Sequence, residues 1–560
     1  MTLAVDQGRL GSQLALGLHD ERDWWRGAVI YQVYPRSFQD TSGDGIGDLR
    51  GIAMRMPYVA SLGVDAIWIS PFFASPMKDF GYDISDYLAV DPMFGGLEDF
   101  DYVVAEAHNN GIRVMIDLVF SHTSDQHPWF IESRSSVTNA RADWYVWADP
   151  KPDGTPPNNW LSIFGGSAWA WDTTRCQYYM HNFLSSQPDL NFHCSEVQET
   201  LLDMARFWLD RGVDGFRLDV VNFYVHDRDL RDNPPLPPER RNTTLAPRVN
   251  PYNHQDHLYD RNRPENLDFL KRLRALMDEY QATAAVGEVA DSHNGLQIVA
   301  DYTSGGDKLH MCYAFDFLSP ELLTAERIVA ALNDFQTQAP EGWACWAFSN
   351  HDVMRHASRW ATAIPGDMEK YLRLLAGLLM SLRGSVCLYQ GEELGLGEAE
   401  LAFEQLRDPY GIQFWPDYKG RDGCRTPMVW ERESHSAGFS QAESWLPVPF
   451  EHRLRAVDTQ DNIHGSLLNH YRAFIAFRKR HQALVKGDIE FILSKGPVVA
   501  FTRRSGNETL LCAFNLTDDP CVIDSPSSVL EALEGHGFGG FLRADRIELP
   551  PYDAFFARIG

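Results

Sequence analysis

The chain has 560 residues and a formal net charge of −27, from 50 basic and 77 acidic side chains. Its length predicts one large domain with one or two smaller ones, and its charge disfavours nucleic acid and anionic membrane surfaces as partners. No apolar run approaches the roughly 20 residues that span a bilayer, and no secretory signal is visible. The eight cysteines lie singly, without a CxxC pair, which favours free thiols in a cytoplasmic protein.

A short apolar run followed by an amphipathic helical stretch recurs along the chain after an N-terminal arm over residues 1–22. The eight runs cover 28–38, 66–73, 113–122, 215–221, 283–289, 311–317, 343–350 and 385–395. Apolar runs with little alternation are typical of strands buried on both faces. Eight βα units predict an α/β protein with a closed (β/α)8 TIM barrel over 23–122 and 191–484; a doubly wound open sheet would show the same alternation.

Two segments differ from this pattern. Residues 123–190 are rich in Trp, Pro, Gly and Asn and are too long for a βα loop, which predicts a small inserted domain, domain B, after the third strand. Residues 485–560 contain short alternating strands separated by turn residues, which predict a C-terminal antiparallel β domain. Domain B follows the C-terminal end of a strand, on the barrel face where active sites lie.

Carboxylates occur where several of the predicted strands end. Arg217 and Asp219 lie two residues apart in the fourth run and therefore point to the same side of that strand, while Glu288 ends the fifth run and Asp352 follows the seventh. Crowded carboxylates raise the pKa of at least one member, whereas an adjacent arginine favours ionisation. A protonated acid beside a charged carboxylate is what glycoside hydrolysis needs; the alternative is a set of strand-end ion pairs.

The blocks around these residues resemble the α-amylase superfamily. The matching blocks are the opening YQVYPRSFQDTSGDGIGDLRGI, then DLVFSH (117–122), QPDLN (187–191), GFRLDVV (215–221), GEV (287–289) and FSNHD (348–352). QPDLN, FGGSAW and RTPMVW (425–430) are similar to the oligo-1,6-glucosidase and α-glucosidase branch rather than to endo-acting amylases. The resemblance extends over about residues 22 to 560.

The resemblance implies a retaining double displacement by three carboxylates. Asp219 matches the nucleophile, Glu288 the general acid and base, and Asp352 the third carboxylate, which stabilises the transition state. Arg217 would keep Asp219 ionised and oriented. His122 and His351 match the pair that hydrogen-bond the hydroxyls of the first sugar; a lone histidine is more often a satisfied core residue.

The resemblance also implies an exo-acting enzyme with a blind pocket. Asp79 matches the residue that binds the terminal 4-hydroxyl, Tyr82 the ring that stacks on the sugar, and Arg425 the partner of Asp79 at the closed end. Phe164 matches an aromatic residue of the pocket wall. The alternatives are a surface ion pair for Asp79 with Arg425 and a core position for Phe164.

We therefore expect an α-glucosidase that releases glucose from the non-reducing end of short maltose-type substrates, with isomaltose-type substrates, sucrose and transglucosylation as further candidates. In the resembling group, a valine at the position of Val220 goes with acceptance of α-1,6 bonds. The alternatives are a sucrose- or trehalose-type glucosyltransferase or isomerase and, more remotely, a non-catalytic heavy subunit of a transporter. No organic cofactor, nucleic acid or membrane partner is expected, and the chain would be a monomer or a homodimer.

A loop after the first predicted strand places oxygen-bearing residues at every second position. Hard cations such as Ca²⁺ take oxygen ligands spaced in this way, with a backbone carbonyl completing the ring. The family has a Ca²⁺ or Mg²⁺ site here with Asn at the second ligand position, where this chain has the shorter Ser42. The sequence predicts a structural cation; the alternative is a plain Gly/Asp turn. The predicted ligands are Asp40, Ser42, Asp44, Ile46 and Asp48.

Overall fold

The computed structural model describes residues 21–525 and 529–560 and confirms the predicted barrel. Eight parallel strands form one sheet, and each lies within one of the predicted apolar runs. They are β1 (Val29–Val33), β2 (Ala66–Ile69), β3 (Arg113–Leu118), β4 (Gly215–Leu218), β5 (Ala284–Val289), β6 (Met311–Ala314), β7 (Cys345–Trp346) and β8 (Ser385–Tyr389).

The order of the strands is β6-β5-β4-β3-β2-β1-β8-β7. A parallel bridge from Cys312 to Ala344 joins β6 to the start of β7, so the sheet closes on itself and the open-sheet alternative is wrong. Almost every strand residue is buried, because side chains fill the barrel interior and helices cover its outside.

Each strand is followed by a helix that covers the barrel. Helix α1 shows how the chain sets the bounds of such a helix: the side chain of Asp48 caps its first turn by accepting the Gly51 amide, and Gly63 ends it with φ 84°. The helices are α1 (Leu49–Leu62), α2 (Leu97–Asn109), α3 (Ser195–Asp210), α4 (Asn266–Met277), α5 (Gly295–Thr303), α6 (Ala325–Gln338), α7 (Met368–Leu379) and α8 (Leu467–Arg480).

The register of the parallel strands places polar residues side by side near the ends of the strands. Asp117 on β3 is aligned with Arg217 on β4, and Glu288 on β5 is aligned with Tyr313 on β6. Because the carboxyl ends of parallel strands lie at one face of a barrel, these side chains converge there.

The segment predicted as domain B contains a small antiparallel sheet. Its strands pair in the order Trp147–Ala148, Gln177–Met180, Trp169–Asp172, and a helix over Pro128–Ser135 precedes them. A bridge from His122 to Asp189 connects it to the end of β3. The domain boundaries at 122/123, 190/191 and 484/485 stay predictions. Of the predicted N-terminal arm, residues 1–20 lie outside the described residues.

The C-terminal region contains antiparallel sheets, as predicted. A five-stranded sheet has the order Asp488–Leu493, Val498–Ser505, Glu508–Asn515, Ala554–Ile559, Val529–Ala532, and a three-stranded sheet has the order Cys521–Asp524, Arg546–Leu549, Phe541–Arg543. The edge strand Asp488–Leu493 begins with an alternation of exposed and buried residues, and the central strand Glu508–Asn515 is mostly buried.

The other elements are short and lie mainly in the loops. A two-residue strand, Phe73–Ala74, pairs with Asp86–Val90. No helix in the described part of the chain is long and apolar enough to cross a membrane. The short helices are Pro35–Ser37, Val221–Phe223, Pro238–Arg240, Pro251–His254, Ser304–Gly306, Phe315–Phe317, His356–Arg359, Ala361–Ala363, Phe403–Gln405, Pro409–Phe414, Asp422–Cys424, His435–Gly438, Phe450–Arg453, Val457–Gln460 and Gln482–Lys486.

Candidate active site

A fully buried arginine lies at the centre of the candidate site. Arg217 Nη1 lies 2.8 Å from Asp117 Oδ1 and 2.6 Å from Asp219 Oδ1, and its Nη2 lies 2.6 Å from Glu288 Oε2. The guanidinium also lies over the ring of Trp68, at 4.8 Å from the ring centroid. One cation thus faces three carboxyl groups, and it cannot neutralise all of them if all are ionised.

The pKa values in this cluster follow from burial. Burial raises the pKa of both Asp219 and Glu288 to about 7 and that of Asp117 to about 6, in each case against the opposing effect of Arg217. These groups titrate together, so near neutral pH they retain a shared proton. The cluster can therefore hold one carboxyl group protonated beside an ionised one.

Asp352 lies in a different environment. Its side chain is 25% exposed, and its Oδ1 lies 2.8 Å from Arg425 Nη2 and 3.3 Å from Arg421 Nη1. Burial raises its pKa, but His351, Arg421 and Arg425 together outweigh burial and hold the pKa below its ordinary value. Asp352 is therefore ionised at neutral pH.

One pocket, of about 550 Å³, brings the three predicted carboxylates together. The sequence-predicted residues that line it are Asp79, Tyr82, His122, Phe164, Asp219, Glu288 and Asp352. Three others lie behind its wall, because Arg217, His351 and Arg425 are fully buried. His351 Nε2 lies 2.5 Å from the hydroxyl of Tyr82 and 3.2 Å from Asp352 Oδ2, and its contact with a sugar hydroxyl stays a prediction.

The arginine that pairs with Asp79 is Arg421, and the predicted pairing with Arg425 is wrong. Arg421 Nη2 lies 2.7 Å from Asp79 Oδ1 and 2.8 Å from Asp408 Oδ1. Arg425 instead donates its Nε–H to the His351 carbonyl at 2.7 Å and pairs with Asp352. A 3₁₀ turn over Asp422–Cys424 separates the two arginines, so both contact Asp352 but Arg421 is the one paired with Asp79. The two arginines lie four residues apart in GRDGCR (420–425), and this spacing does not reveal which of them faces Asp79.

Gln187 connects two predicted residues of the pocket. Its Nε2 donates to Asp79 Oδ2 at 3.0 Å and lies 3.2 Å from His122 Nε2. Burial lowers the pKa of His122 to about 4, so this ring is neutral near pH 7. Gln187 was not predicted as a site residue, although the QPDLN block that contains it was noted.

Two further buried residues of the site, Asp117 and Tyr313, were not predicted as site residues. Each contacts a predicted residue from a neighbouring strand. Asp117 accepts hydrogen bonds from Trp68 Nε1 and from the Tyr82 hydroxyl, both at 3.1 Å, besides its ion pair with Arg217. Tyr313 donates its hydroxyl proton to Glu288 Oε1 at 3.0 Å. Only the strand register brings them to the site, and a single sequence does not give that register.

Phe164 and Val220 form parts of the pocket wall. Phe164 stacks on Tyr410 with centroids 4.7 Å apart, and the Arg421 guanidinium lies 5.1 Å from its centroid. Val220 directly follows Asp219 and has φ 34°, which is strained for a β-branched residue. This conformation directs its amide to Glu288 Oε2 at 3.1 Å, so the strain occurs where the backbone positions a carboxylate.

The carboxylates of the predicted cation loop bond to the loop itself. Asp40 accepts hydrogen bonds from the Ser42 and Ser440 hydroxyls and from the amides of Gly43 and Gly45. Asp48 accepts from Thr41 and caps α1, while Asp44 accepts from the Ile46 amide. Among the described residues, no group of three or more His, Cys, Asp or Glu side chains could hold a metal ion. To bind an ion, Asp40 and Asp48 would have to release some of these hydrogen bonds, and the predicted Ca²⁺ or Mg²⁺ site stays a prediction.

A (β/α)8 barrel with a buried arginine and clustered carboxylates at its carboxyl face is an arrangement that suits a glycoside hydrolase. The chain belongs to the alpha-amylase family: residues 32–487 match the alpha amylase catalytic domain. It is 66% identical, over 97% of its length and 98% of the relative, to a probable alpha-glucosidase of Rhizobium meliloti (strain 1021). It is 37% identical to an oligo-1,6-glucosidase of Heyndrickxia coagulans, over 92% and 96% of the two chains.

Solved structures agree with this assignment. The alpha-glucosyl transfer enzyme XgtA superposes with a TM-score of 0.93 at 52% identity, over 96% of this chain and 99% of that one. A mutant isomaltulose synthase from Erwinia rhapontici NX5, in complex with its natural substrate sucrose, superposes with a TM-score of 0.85 at 32% identity, over the same shares of the two chains. The chain is therefore an enzyme of the α-glucosidase group of this family.

Proposed function

We propose that the protein is an exo-acting retaining α-glucosidase that removes single glucose units from the non-reducing end of short α-glucosides. The observation that carries this proposal is the contact of Asp79 with Arg421 in the wall of the pocket that contains the three carboxylates. A buried ion pair at this place occupies the space in which further sugar units would have to lie. The pocket then accepts one terminal sugar, with the leaving group directed to the solvent.

The catalytic steps follow from the cluster around Arg217. Asp219 attacks the anomeric carbon while the glycosidic C–O bond breaks, and Glu288 gives its proton to the leaving oxygen. A water molecule then attacks the glucosyl ester, transfers a proton to Glu288 and releases Asp219, so the product keeps the α configuration. Asp352, ionised and held by Arg425, stabilises the positive charge of the transition state.

The wall of the pocket is largely apolar, with Phe183, Leu245, Ala290, Leu318 and Met354 among the lining residues. Polar residues such as Thr243, Thr244, Asp417 and Lys419 also line it and could bind the hydroxyls of a leaving group or an acceptor. Other alcohols that enter this space compete with water for the glucosyl enzyme, which accounts for transglucosylation.

A second candidate is a sucrose isomerase or glucosyltransferase. The structural similarity to isomaltulose synthase supports it, because the catalytic steps up to the glucosyl enzyme are the same and only the acceptor differs. Product analysis distinguishes the two: an isomerase converts sucrose to another disaccharide, whereas a glucosidase releases glucose.

The cellular setting is also a proposal. All eight cysteines are free in the described structure, and three of them, Cys312, Cys345 and Cys387, lie on the barrel strands, which is consistent with a reducing cytoplasm. Short oligosaccharides would be the partners, and the protein would act as a monomer or a homodimer.

The experiment that tests the function is proton NMR of the purified protein with maltose, isomaltose and sucrose from the first minute of reaction. We expect α-glucose before mutarotation, with new glucosyl linkages where transfer competes with water. Asp219→Asn should abolish turnover but leave the protein folded, whereas Asp203→Asn, on the exposed face of α3, should retain full activity. Substantial activity in Asp219→Asn would overturn the assignment of the nucleophile.

A further inference from the structure

Tyr313 is a buried residue to which neither the sequence motifs nor the proposed catalytic steps assign a role. It lies on β6 in direct register with Glu288 on β5, and it is 4% exposed. Its ring lies beside Trp68, with centroids 6.4 Å apart, on the side of β6 that faces the barrel axis. Its hydroxyl is therefore fixed next to the general acid.

The directions of the hydrogen bonds at this hydroxyl follow from chemistry. Arg217 donates to the Tyr313 oxygen through Nε at 3.2 Å and through Nη2 at 2.9 Å. A guanidinium has no acceptor, so the tyrosine cannot donate to it. The one proton of the hydroxyl is therefore directed to Glu288 Oε1, 3.0 Å away. Arg217 polarises the hydroxyl and makes it a stronger donor to the carboxyl group.

The other oxygen of Glu288 is also held by donors. Glu288 Oε2 accepts the Val220 amide at 3.1 Å and lies 2.6 Å from Arg217 Nη2. Both oxygens thus meet donors, an arrangement that suits the ionised carboxylate. The acid form has to place a proton on one oxygen, so protonation of Glu288 competes with these contacts.

We infer that Tyr313 is a positioning residue that orients Glu288 through its hydroxyl and favours the deprotonated form, which activates water in the second half of the reaction. This inference rests on the role proposed for Glu288. The charged groups that face Glu288 are Arg217 and Asp219 from the β4 side, Asp117 from β3 and Asp352 from the end of β7. Tyr313 is a neutral side-chain donor, and it approaches Glu288 from the opposite side, on β6.

Tyr313→Phe tests this inference, because it keeps the ring and removes the hydroxyl. Loss of a donor to the charged form makes Glu288 harder to deprotonate, so the alkaline limb of kcat/KM should move up by about one pH unit. The kcat for maltose should fall several-fold, while KM changes little, because Tyr313 does not line the pocket. The matched control is Tyr302→Phe, which removes another buried hydroxyl, bonded to Asn266, and should leave the pH profile unchanged.

A second variant should move the alkaline limb of kcat/KM in the opposite direction. Incorporation of 3-fluorotyrosine at position 313 keeps the hydroxyl and makes it more acidic, hence a stronger donor, so the alkaline limb should move down. The inference would be overturned if the alkaline limb of kcat/KM lay at the same pH in both variants as in the unmodified enzyme. Failure of the proposed function looks different, because the unmodified protein would then hydrolyse no α-glucoside at any pH.

Discussion

The guanidinium of Arg421 lies 2.7 Å from the carboxylate of Asp79, and both side chains are buried in the wall of the catalytic pocket. Arg421 also contacts Asp352, so the residue that would close the sugar pocket is linked directly to the third carboxylate. In the proposed mechanism, binding of the terminal sugar and stabilisation of the transition state would therefore share one cation.

Asp79→Asn should lower kcat/KM for maltose by about 100-fold, because it removes a charged partner from the terminal sugar. The protein should remain folded, since Arg421 keeps Asp408 and Asp352 as partners. In steady-state kinetics, the double variant Asp79→Asn/Arg421→Lys should show strongly non-additive losses, whereas Asp79→Asn/Arg425→Lys should show a smaller coupling, because Arg425 reaches Asp79 only through the shared network at Asp352. Equal coupling to both arginines would contradict the pairing seen here.

The sequence predicted the barrel and the three carboxylates because both leave local signals. Apolar runs mark buried strands, and ionisable residues at the ends of such strands mark a site. The prediction of Arg425 as the partner of Asp79 was wrong, since the choice between Arg421 and Arg425 depends on the 3₁₀ turn between them. Tyr313 and Gln187 could not be found either, because each meets its partner through strand register or a long loop rather than through sequence spacing.

The pKa of Glu392 makes stability depend on pH. Glu392 follows β8, is 3% exposed, and accepts hydrogen bonds from the Tyr471 hydroxyl at 3.3 Å and the Tyr389 amide at 3.4 Å. Burial raises its pKa to about 8. As pH rises from 4.5 towards 8, the unfolded chain loses this proton while the folded protein keeps it, so stability falls with pH, by up to about 1.4 kcal/mol per pH unit.

Glu392→Gln should remove this dependence. Its thermal midpoint should equal that of the unmodified protein near pH 4.5 and should exceed it increasingly up to pH 8, as measured by calorimetry across this range. The control is Glu490→Gln, at an exposed position of the C-terminal sheet. Its thermal midpoint should equal that of the unmodified protein at every pH. A midpoint difference that is independent of pH would contradict the prediction.

The Ca²⁺ or Mg²⁺ ion predicted for the loop at Asp40 stays a prediction, and the observed hydrogen bonds determine what we expect of it. We propose a weak structural site, because Asp40 and Asp48 must release hydrogen bonds to bind an ion. Burial raises the pKa of Asp40, but hydrogen bonds from Ser440, Gly43, Gly45 and Ser42 outweigh burial, so the carboxylate is charged and able to bind.

Millimolar Ca²⁺ should raise the thermal midpoint by about 1–3 °C, and excess chelator should reverse this. Ser42→Asn, which offers a longer oxygen ligand, should give a larger rise at the same concentration. An unchanged midpoint in both proteins would show that the loop is held by its hydrogen bonds alone.

Val220 provides the test of linkage preference. Its side chain lines the pocket next to the nucleophile, and its φ of 34° is a strained value for any β-branched residue. Val220→Thr keeps this branching and adds a hydroxyl, so it changes polarity without relieving the strain. In the resembling group, hydroxylated residues at this position go with α-1,4 bonds. The ratio of kcat/KM for isomaltose to that for maltose should therefore fall by about tenfold in Val220→Thr, within the range that one side chain can discriminate.

The control is Val353→Thr, elsewhere in the same pocket, which should change kcat/KM for maltose and for isomaltose by the same factor. If both variants shift the ratio equally, general polarity of the pocket and not the position after Asp219 determines the linkage.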